Sequence, residues 1–396
     1  MNNATEIFKK YQAQTFNNPS CLEVKSANGS HITDTKGRRY LDFVAGVSAC
    51  TLGHSNPIIT KAITEQLRLY SHVMVYGEYI QSPQYKLAEL LAQNLPEQLN
   101  TTYFTNSGTE AIEGAMKLAK RATGRSEFIS CVNSYHGSTQ GSLSIMGNEE
   151  YKSSYRPLLS NCNKIIFNDI KSINNITNKT AAVIIEPIQG ATGFITPNDN
   201  FLQKIREKCT ENGVILIFDE IQTCFGRLGK LFGLDYYNVI PDILCIAKGM
   251  GGGMPIGAFI ASWDLMNLLT HKPKLGHITT FGGHPVNCAA SLATLKHLLS
   301  SDIMQQIQAK EIIFRDNLKH PLIKEIRGAG LMLALELVDE EITQKIVEKC
   351  LNDGLILFYF LFTKTAIRIT PPLTISIDEI ISGCRIITRN LEKLSS

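Results

Sequence analysis

Six short, almost uninterrupted apolar runs divide the middle of this 396-residue chain. They are EFISCV (127–132), KIIF (164–167), AAVIIE (181–186), VILIFDE (214–220), ILCIA (243–247) and IGAFIA (256–261). Between them lie stretches with the apolar spacing of amphipathic helices, such as 109–121 and 200–212. Strands that are apolar throughout and alternate with helices predict a mostly parallel sheet covered on both faces. The turn between the last two runs is too short for a crossover helix, so one strand there is expected to be antiparallel or inserted.

The two ends of the chain have a different pattern. HITDTKGRRYLDF (31–43) is typical of a hairpin that turns at Lys36-Gly37, and LMLALEL (331–337) alternates like a strand. We therefore expect an α/β protein with a large central domain and a small α+β domain built from both termini. The expected divisions are residues 1–50 in the small domain, 51–285 in the large one and 286–396 in the small one again. The aromatic-rich stretch 355–362 is interpreted as a buried strand.

Composition excludes several classes of function. The chain is 44% hydrophobic and 19% charged with a net charge of +3, and it has no basic run, so neither nucleic acid nor a membrane surface is expected as a partner. Its ten cysteines show no CxxC pair, which argues against a disulfide framework and against a metal site. The N-terminus lacks the apolar segment of a secretory signal, so a soluble, cytoplasmic protein is expected.

Polar residues collect where the apolar runs end. Lys248 follows ILCIA, Asp219 closes VILIFD and Glu186 follows AAVII. In an α/β sheet, ligands bind outside the carboxyl ends of the strands, so these side chains are expected at one edge. The turn Ser107-Gly108-Thr109 leads into a helix and offers hydroxyls and free N–H groups to an anion. Taken singly, Asp219 could equally be a helix N-cap, and the turn could be simple capping.

One chemistry requires this combination of residues. Pyridoxal phosphate needs a lysine for a Schiff base, a carboxylate opposite its pyridine nitrogen and a cradle for its phosphate. The carboxylate keeps the ring nitrogen protonated, so that the ring can accept electrons. Tyr135, just after the run at 127–132, adds an aromatic face on which the ring can stack. Lys248, Asp219 and the 107–109 turn therefore predict a pyridoxal phosphate enzyme.

A sequence with these residues in this order resembles the class III aminotransferases of fold type I, and within them the acetylornithine and ornithine aminotransferase group. The resemblance runs from DTKGRRYLDFVAGVSACTLGHSNP (34–57) to IRITPPLTI (367–375). Between these segments lie YFTNSGTEAIEGAMKLAKR, SYHGSTQGSLS, AVIIEPIQG, LIFDEIQTCFGRLGKLFG, PDILCIAKGMGGGMPIGAF and TTFGGHPVNCAA, in the order of the family. It implies a seven-stranded, mostly parallel sheet and transfer of an amino group, from the terminal amine of an amino acid, to a 2-oxo acid.

The resemblance also implies roles for individual residues. Lys248 would bind the cofactor covalently, Asp219 would contact the pyridine nitrogen, and Gln222 would bind the phenolic oxygen of the ring. The remaining implied contacts are Ser107, Gly108 and Thr109 at the phosphate, Tyr135 stacked on the ring, His136 beside it and Glu186 near it. Thr280 would reach the phosphate in a neighbouring subunit, which implies a homodimer with shared sites. Tyr79 is a candidate for the substrate mouth, although core packing is an equal alternative for it.

Two positions depart from the family pattern. The chain has Ser138 where ornithine-type enzymes have an arginine that grips the distal carboxylate of 2-oxoglutarate, and Ala191 where they have a glutamate. In the family that glutamate masks a second arginine, which corresponds to Arg368 here. We therefore expect a preference for a monocarboxylate acceptor such as pyruvate, unless Arg156 or Lys152 compensates. A different reaction on the same cofactor, or a binding protein without turnover, remains an alternative.

Overall fold

The computed structural model describes residues 3–198 and 200–395. Its strands are β1 (Val24–Asn28), β2 (His31–Asp34), β3 (Arg39–Asp42), β4 (Thr101–Thr105), β5 (Glu127–Cys131), β6 (Cys162–Ile165), β7 (Thr180–Ile185), β8 (Ile215–Asp219), β9 (Ile243–Ile246), β10 (Gly257–Ala261), β11 (Ile323–Ala329), β12 (Met332–Leu337), β13 (Leu355–Ile356), β14 (Phe358–Tyr359) and β15 (Ala366–Ile369).

Its α-helices are α1 (Asn3–Tyr11), α2 (Ala45–Ser48), α3 (Pro57–Leu69), α4 (Ser82–Ala92), α5 (Gly108–Thr123), α6 (Gln140–Ser144), α7 (Phe201–Asn212), α8 (Gly233–Tyr237), α9 (Trp263–Asn267), α10 (Pro285–Ser300), α11 (Ile307–Asn317), α12 (Glu340–Asn352) and α13 (Ile377–Ser395). In the described part of the chain, none of them combines the length and the apolar character that a membrane span requires.

The central sheet has seven strands in the order β4-β10-β9-β8-β7-β5-β6. β5, β6, β7, β8 and β9 pair in parallel, whereas β10 is antiparallel to both of its neighbours. The mostly parallel sheet predicted from the apolar runs is confirmed. β10 runs antiparallel because the short connection from β9 leaves no room for a crossover helix.

Both faces of this sheet are buried, and the strand period of two decides which residue faces which side. In β8, Ile217 packs in a cluster with α5, while Leu216 and Phe218 belong to the larger core on the other face. All three side chains are completely buried. The uninterrupted apolar runs of the sequence are therefore the signature of a sheet that has no solvent face.

Two smaller sheets contain the terminal parts of the chain. The first has the order β1-β2-β3-β13, and it includes the predicted hairpin, in which the Asp34 carboxylate accepts hydrogen bonds from the turn amides of Lys36 and Arg38. The second has the order β11-β12-β15-β14. The interpretation of 355–362 as one buried strand is wrong, because the chain changes sheets between β13 and β14 and leaves Phe358 half exposed. The domain boundaries near residues 50 and 285 remain a prediction.

Candidate active site

The carboxyl ends of β5, β7, β8 and β9 meet at one edge of the central sheet, and Lys248 comes two residues after β9. Lys248 begins a short 3-10 turn with a φ of 42°. A side chain other than glycine rarely adopts a positive φ, and such strain is concentrated at functional sites. The next residue, Gly249, allows close packing there, since a Cβ on it would lie 2.5 Å from the Thr51 hydroxyl. The glycines after the lysine therefore let other backbone approach it.

Asp219 is the last residue of β8 and is buried at 5% exposure. Its Oδ2 lies 2.7 Å from Nδ1 of His136, and its Oδ1 accepts a hydrogen bond from the Ile221 amide at 3.1 Å. His136 is buried too, and its Nε2 has no hydrogen-bond partner within residues 3–198 and 200–395. The Asp219 carboxylate is thus oriented from two sides.

Glu186 follows β7 and fixes the loops on either side of it. Its Oε2 accepts a hydrogen bond from the Tyr135 amide at 3.1 Å, and its Oε1 accepts one from Gly190 at 2.8 Å. A Cβ on Gly190 would lie 2.8 Å from Oε1 of Gln222 and 3.1 Å from Glu186. Burial, helped by the nearby charge of Asp219, raises the pKa of Glu186 to about 7. A proton on this carboxyl is therefore available near neutral pH.

The amine of Lys248 lies among these charges. Burial lowers its pKa, and the positive charge of Arg368 acts in the same direction. The carboxylates of Asp219 and Glu186 oppose that effect. A lysine whose pKa is lowered is neutral more of the time, and a neutral amine is the form that can act as a nucleophile or accept a proton.

The predicted anion site lies at the N-terminus of α5. Ser107 caps the helix, because its side chain accepts a hydrogen bond from the Glu110 amide at 3.3 Å. The Thr109 hydroxyl lies 2.7 Å from the hydroxyls of both Thr139 and Ser142. Capping is therefore part of this turn's role. The positive end of a 16-residue helix and a cluster of hydroxyls remain suited to an anion.

Arg368 lies on β15 and is buried at 5% exposure. Its Nε donates to the Tyr359 carbonyl at 3.2 Å, and its Cζ lies 4.9 Å from the centre of the Phe360 ring. In the described residues no carboxylate forms an ion pair with it. Burial lowers its pKa to about 10, which still leaves it charged at neutral pH.

The other candidates differ in their placement. The Ser138 hydroxyl is exposed and lies 3.2 Å from that of Tyr135, whereas Ala191 is buried and its carbonyl accepts from the Phe362 amide at 3.0 Å. Thr280 is exposed, next to Thr279, whose hydroxyl accepts from the Asn106 amide group. Tyr79 is 61% exposed, and no contact described above joins it to the strand-end residues. The roles of Thr280 and Tyr79 remain predictions.

The residues present fit pyridoxal phosphate. An amine of lowered pKa, a buried and oriented carboxylate and a helix N-terminus come from neighbouring strand ends. The buried His136 Nε2 and the Ser134 hydroxyl leave unused hydrogen-bonding capacity in the loop that carries Tyr135. By contrast, no three His, Cys, Asp or Glu side chains are grouped as metal ligands in the described ranges.

Sequence reasoning missed three contributors to the site. The hydroxyl of Ser48 accepts a hydrogen bond from the Gln222 side-chain amide at 3.2 Å. The Tyr359 carbonyl and the Phe360 ring hold Arg368. Ser48 lies in the segment 34–57 that carries the family resemblance, but nothing in that segment singles it out. For Tyr359 and Phe360, the aromatic run FYFLF (358–362) was a signal.

Comparisons with known proteins agree with this geometry. The family model of class III aminotransferases matches residues 11–391. The acetylornithine aminotransferase of Clostridium acetobutylicum is 38% identical over 89% of this chain and 92% of its own length. The crystal structure of ornithine aminotransferase from Toxoplasma gondii superposes with a TM-score of 0.91 at 27% identity, over 99% of this chain and 95% of that one. An amine transaminase from an uncultivated Pseudomonas species, in a form with bound pyridoxal phosphate, has a TM-score of 0.87 at 27% identity over 96% of this chain and 98% of its own.

Proposed function

Because this chain belongs to the class III aminotransferase family, whose members transfer amino groups with pyridoxal phosphate, we propose which residues serve that reaction and which substrates it takes. The donor proposed is an amino acid with a terminal amine, such as acetylornithine, and the acceptor is a 2-oxo acid with a single carboxylate, such as pyruvate. Both substrates use one site in turn, in a ping-pong sequence. The observation that carries the choice of acceptor is the unpaired guanidinium of Arg368.

When bound, pyridoxal phosphate supplies an electron sink for the substrate carbon that loses its proton. Lys248 would hold the cofactor through its amine, and the free amine would move the proton at the substrate carbon. Its lowered pKa supports this role, since the neutral amine is the base. The positive charge of Arg368 nearby helps to keep the amine neutral.

Asp219 would favour the protonated form of the pyridine nitrogen, and His136 keeps the Asp219 carboxylate in place. A carboxylate that is buried and oriented by a 2.7 Å contact costs no reorganisation when it meets a positive ring nitrogen. Gln222, fixed by Ser48, is placed for the phenolic oxygen, and Tyr135 supplies the stacking face. Ser107, Gly108 and Thr109 bind the phosphate at the positive end of α5.

The acceptor follows from a count of charges. Arg368 is free to bind one carboxylate with two parallel hydrogen bonds. The two cations that could have replaced the missing distal arginine, Arg156 and Lys152, both pair with one carboxylate, that of Glu149, at 2.5 and 3.3 Å. A second carboxylate on the acceptor, as in 2-oxoglutarate, would therefore have to compete with Glu149 for either cation.

The donor follows from relatives. The Clostridium protein, which is 38% identical, is named for acetylornithine, and the Toxoplasma structure for ornithine. Acetylornithine and ornithine both carry a terminal amine, which is the group proposed to react. By this reading, the protein belongs to the arginine branch of amino-acid metabolism.

Assembly and location are also proposals. A homodimer is supported by the exposure of Thr280 and of its neighbour Phe281, which is 53% exposed in the single chain. A cytoplasmic location is supported by the cysteines, since seven of the ten are buried free thiols that pack in the core.

The experiment that tests the substrates follows the visible absorption of the lysine-bound cofactor while amino donors are added singly. The donors compared are acetylornithine, succinylornithine and ornithine on one side and 4-aminobutyrate, β-alanine and alanine on the other. Pyruvate or 2-oxoglutarate is then added to protein that has reacted with a donor, and the recovery of the absorption band is followed. We expect the absorption band to disappear with an ornithine derivative and to recover faster with pyruvate than with 2-oxoglutarate. A strong preference for 2-oxoglutarate would refute the acceptor, and a response only to other amines would refute the donor. Lys248→Ala is the control, and it should show neither band nor turnover.

A further inference from the structure

Arg368 is held by an aromatic ring where an ion pair could have held it. Its guanidinium carbon lies 4.9 Å from the centre of the Phe360 ring, within the range of a cation–π contact. The backbone carbonyl of Tyr359 accepts its Nε–H at 3.2 Å. The only polar contact described for this side chain therefore uses one of its five N–H donors.

The Phe360 ring is itself fixed. It is 6% exposed and meets the fully buried ring of Phe194 edge to face, with 4.7 Å between the ring centres and an angle of 84°. Two residues further on, the Phe362 amide donates to the carbonyl of Ala191 at 3.0 Å. The aromatic segment 358–362 is thus anchored on the 191–194 turn, and the ring cannot leave the guanidinium without disturbing both contacts.

We propose that Phe360 is the positioning residue for Arg368, which it holds in place with the N–H edge of the guanidinium free for a substrate carboxylate. The proposal rests on the proposed role of Arg368 as the carboxylate-binding group. The geometry explains the choice of a ring. A carboxylate partner would occupy the N–H edge that the substrate needs, whereas a ring contacts the flat face and leaves the edge unoccupied.

A consequence follows for the half of the reaction that uses the 2-oxo acid. An arginine paired with a protein carboxylate must release that partner before it can bind a substrate carboxylate, and the pair reforms afterwards. Here the buried guanidinium has no such partner to release in the described chain, so a 2-oxo acid can present the carboxylate beside its reacting carbon to a preset group. Phe360 would then determine how well the site binds any substrate that carries a carboxylate next to the reacting carbon.

The test compares three variants. Phe360→Leu removes the ring face but keeps an apolar side chain, and Phe360→Tyr keeps the ring. Phe167→Leu is the matched control, because Phe167 is also buried and edge to face with another ring, Phe201, in a different cluster. Each is checked by circular dichroism, and Phe360→Met replaces Phe360→Leu if the latter does not fold. Two quantities are measured: the KM and kcat for pyruvate, and the Kd of pyruvate for the cofactor-free protein by calorimetry.

Loss of a buried cation–π contact of about 1 kcal/mol is expected to weaken pyruvate binding about fivefold in Phe360→Leu. KM and Kd should rise together, kcat should stay within about twofold, and the half-reaction with an amine that has no carboxylate, such as 1-phenylethylamine, should be unchanged. Phe360→Tyr and Phe167→Leu should behave as the wild type.

Different failures have different meanings. If Arg368→Met weakens pyruvate binding and Phe360→Leu does not, the positioning role of Phe360 is wrong and the proposed function stands. If Phe360→Leu lowers the response to pyruvate and to the carboxylate-free amine equally, the ring has only a structural role, and the proposal is also wrong. If Arg368→Met leaves pyruvate binding unchanged, the proposed role of Arg368 fails and the inference fails with it.

Discussion

Replacing Arg368 with methionine should raise the stability of the protein while it removes carboxylate binding. The side chain is buried, its charge has no carboxylate partner in the described chain, and its polar contact is a hydrogen bond to one carbonyl. A buried charge without a partner is unfavourable, and a hydrophobic side chain of similar volume often replaces it at a gain in stability. Methionine matches the length of the apolar stem and can lie against Phe360.

The size of the effect follows from the pKa. Burial lowers the pKa of Arg368 to about 10, and at about 1.4 kcal/mol for each tenfold loss of proton affinity this corresponds to roughly 3 kcal/mol of destabilisation of the charged form. Methionine gives up the hydrogen bond to Tyr359 and the contact with Phe360, each worth about 1 kcal/mol. A net gain of about 1 kcal/mol remains, or a rise in Tm of about 1 °C for a chain of this length.

The assay is calorimetric unfolding of the cofactor-free protein, with and without pyruvate. Arg227→Met is the matched control, because Arg227 is equally buried and burial also lowers its pKa to about 10. Arg227 donates through Nη1 to the carbonyls of Leu331 and Pro371, so its loss strands two buried acceptors. Loss of the buried charge again returns roughly 3 kcal/mol, but the two stranded acceptors cost about 2–6 kcal/mol together. The expected change in stability for Arg227→Met, about +1 to −3 kcal/mol, therefore lies below that for Arg368→Met.

The ligand response completes the experiment. Pyruvate binds only the native state, so it should raise the Tm of the wild type and leave that of Arg368→Met unchanged. A Tm for Arg368→Met several degrees below that of the wild type would refute the reasoning, since it would mean that the guanidinium stabilises the fold. A rise in the Tm of Arg368→Met with pyruvate as large as that of the wild type would equally contradict it.

Three further predictions concern neighbouring groups. Asp219→Asn should lower kcat by about 10²–10⁴-fold, because it removes the buried negative charge that would pair with the pyridine nitrogen, and breaking such a pair costs about 3–5 kcal/mol. The contact with His136 should persist, and the absorption of the bound cofactor should shift. Steady-state rates and a visible spectrum check these two effects. Burial raises the pKa of Glu220 to about 7, so the folded protein holds this proton more tightly than the unfolded chain, and stability should fall as the pH rises from about 4.3 to 7. Glu220→Gln should flatten part of that fall, and urea midpoints at pH 5 and pH 8 that differ by the same amount in both proteins would contradict it. Ser48→Ala removes the acceptor for Gln222 and should weaken cofactor binding about fivefold, measured as the Kd from the rise of visible absorption.

The central sheet could be predicted because its signal is local. Strands buried on both faces must be apolar at every position, so β5 to β10 stand out as uninterrupted runs, and the short turn before β10 already indicated its direction. The segment 355–362 could not be predicted in the same way. Its apolar residues serve two sheets in turn, β13 in one and β14 in the other, and periodicity does not show where a chain changes partner.

In the site, too, the residues with a local sequence signal could be predicted and the long-range contacts could not. Lys248, Asp219 and Glu186 could be found because each ends an apolar strand, and parallel strands bring their ends together. The contact of Ser48 with Gln222 joins residues 174 positions apart, and a serine inside the irregular helix α2 has no pattern of its own. The contact of His136 with Asp219 likewise depends on the distance between two strand-end loops, which only the folded sheet fixes.

Ser138, Ala191 and Phe360 have a common consequence when their effects are combined. Without a glutamate at 191, a buried guanidinium would lack a partner to hold it, and the Phe360 ring supplies that hold from the face. Without an arginine at 138, a second carboxylate on a substrate would lack that cation, and Arg156 and Lys152 are both already in contact with Glu149. A dicarboxylate would therefore bring one buried charge more than Arg368 can pair, at a cost of several kcal/mol. A substrate with one carboxylate balances the charge of the guanidinium. Ser138, Ala191 and Phe360 each permit an acceptor such as pyruvate, and together they favour it.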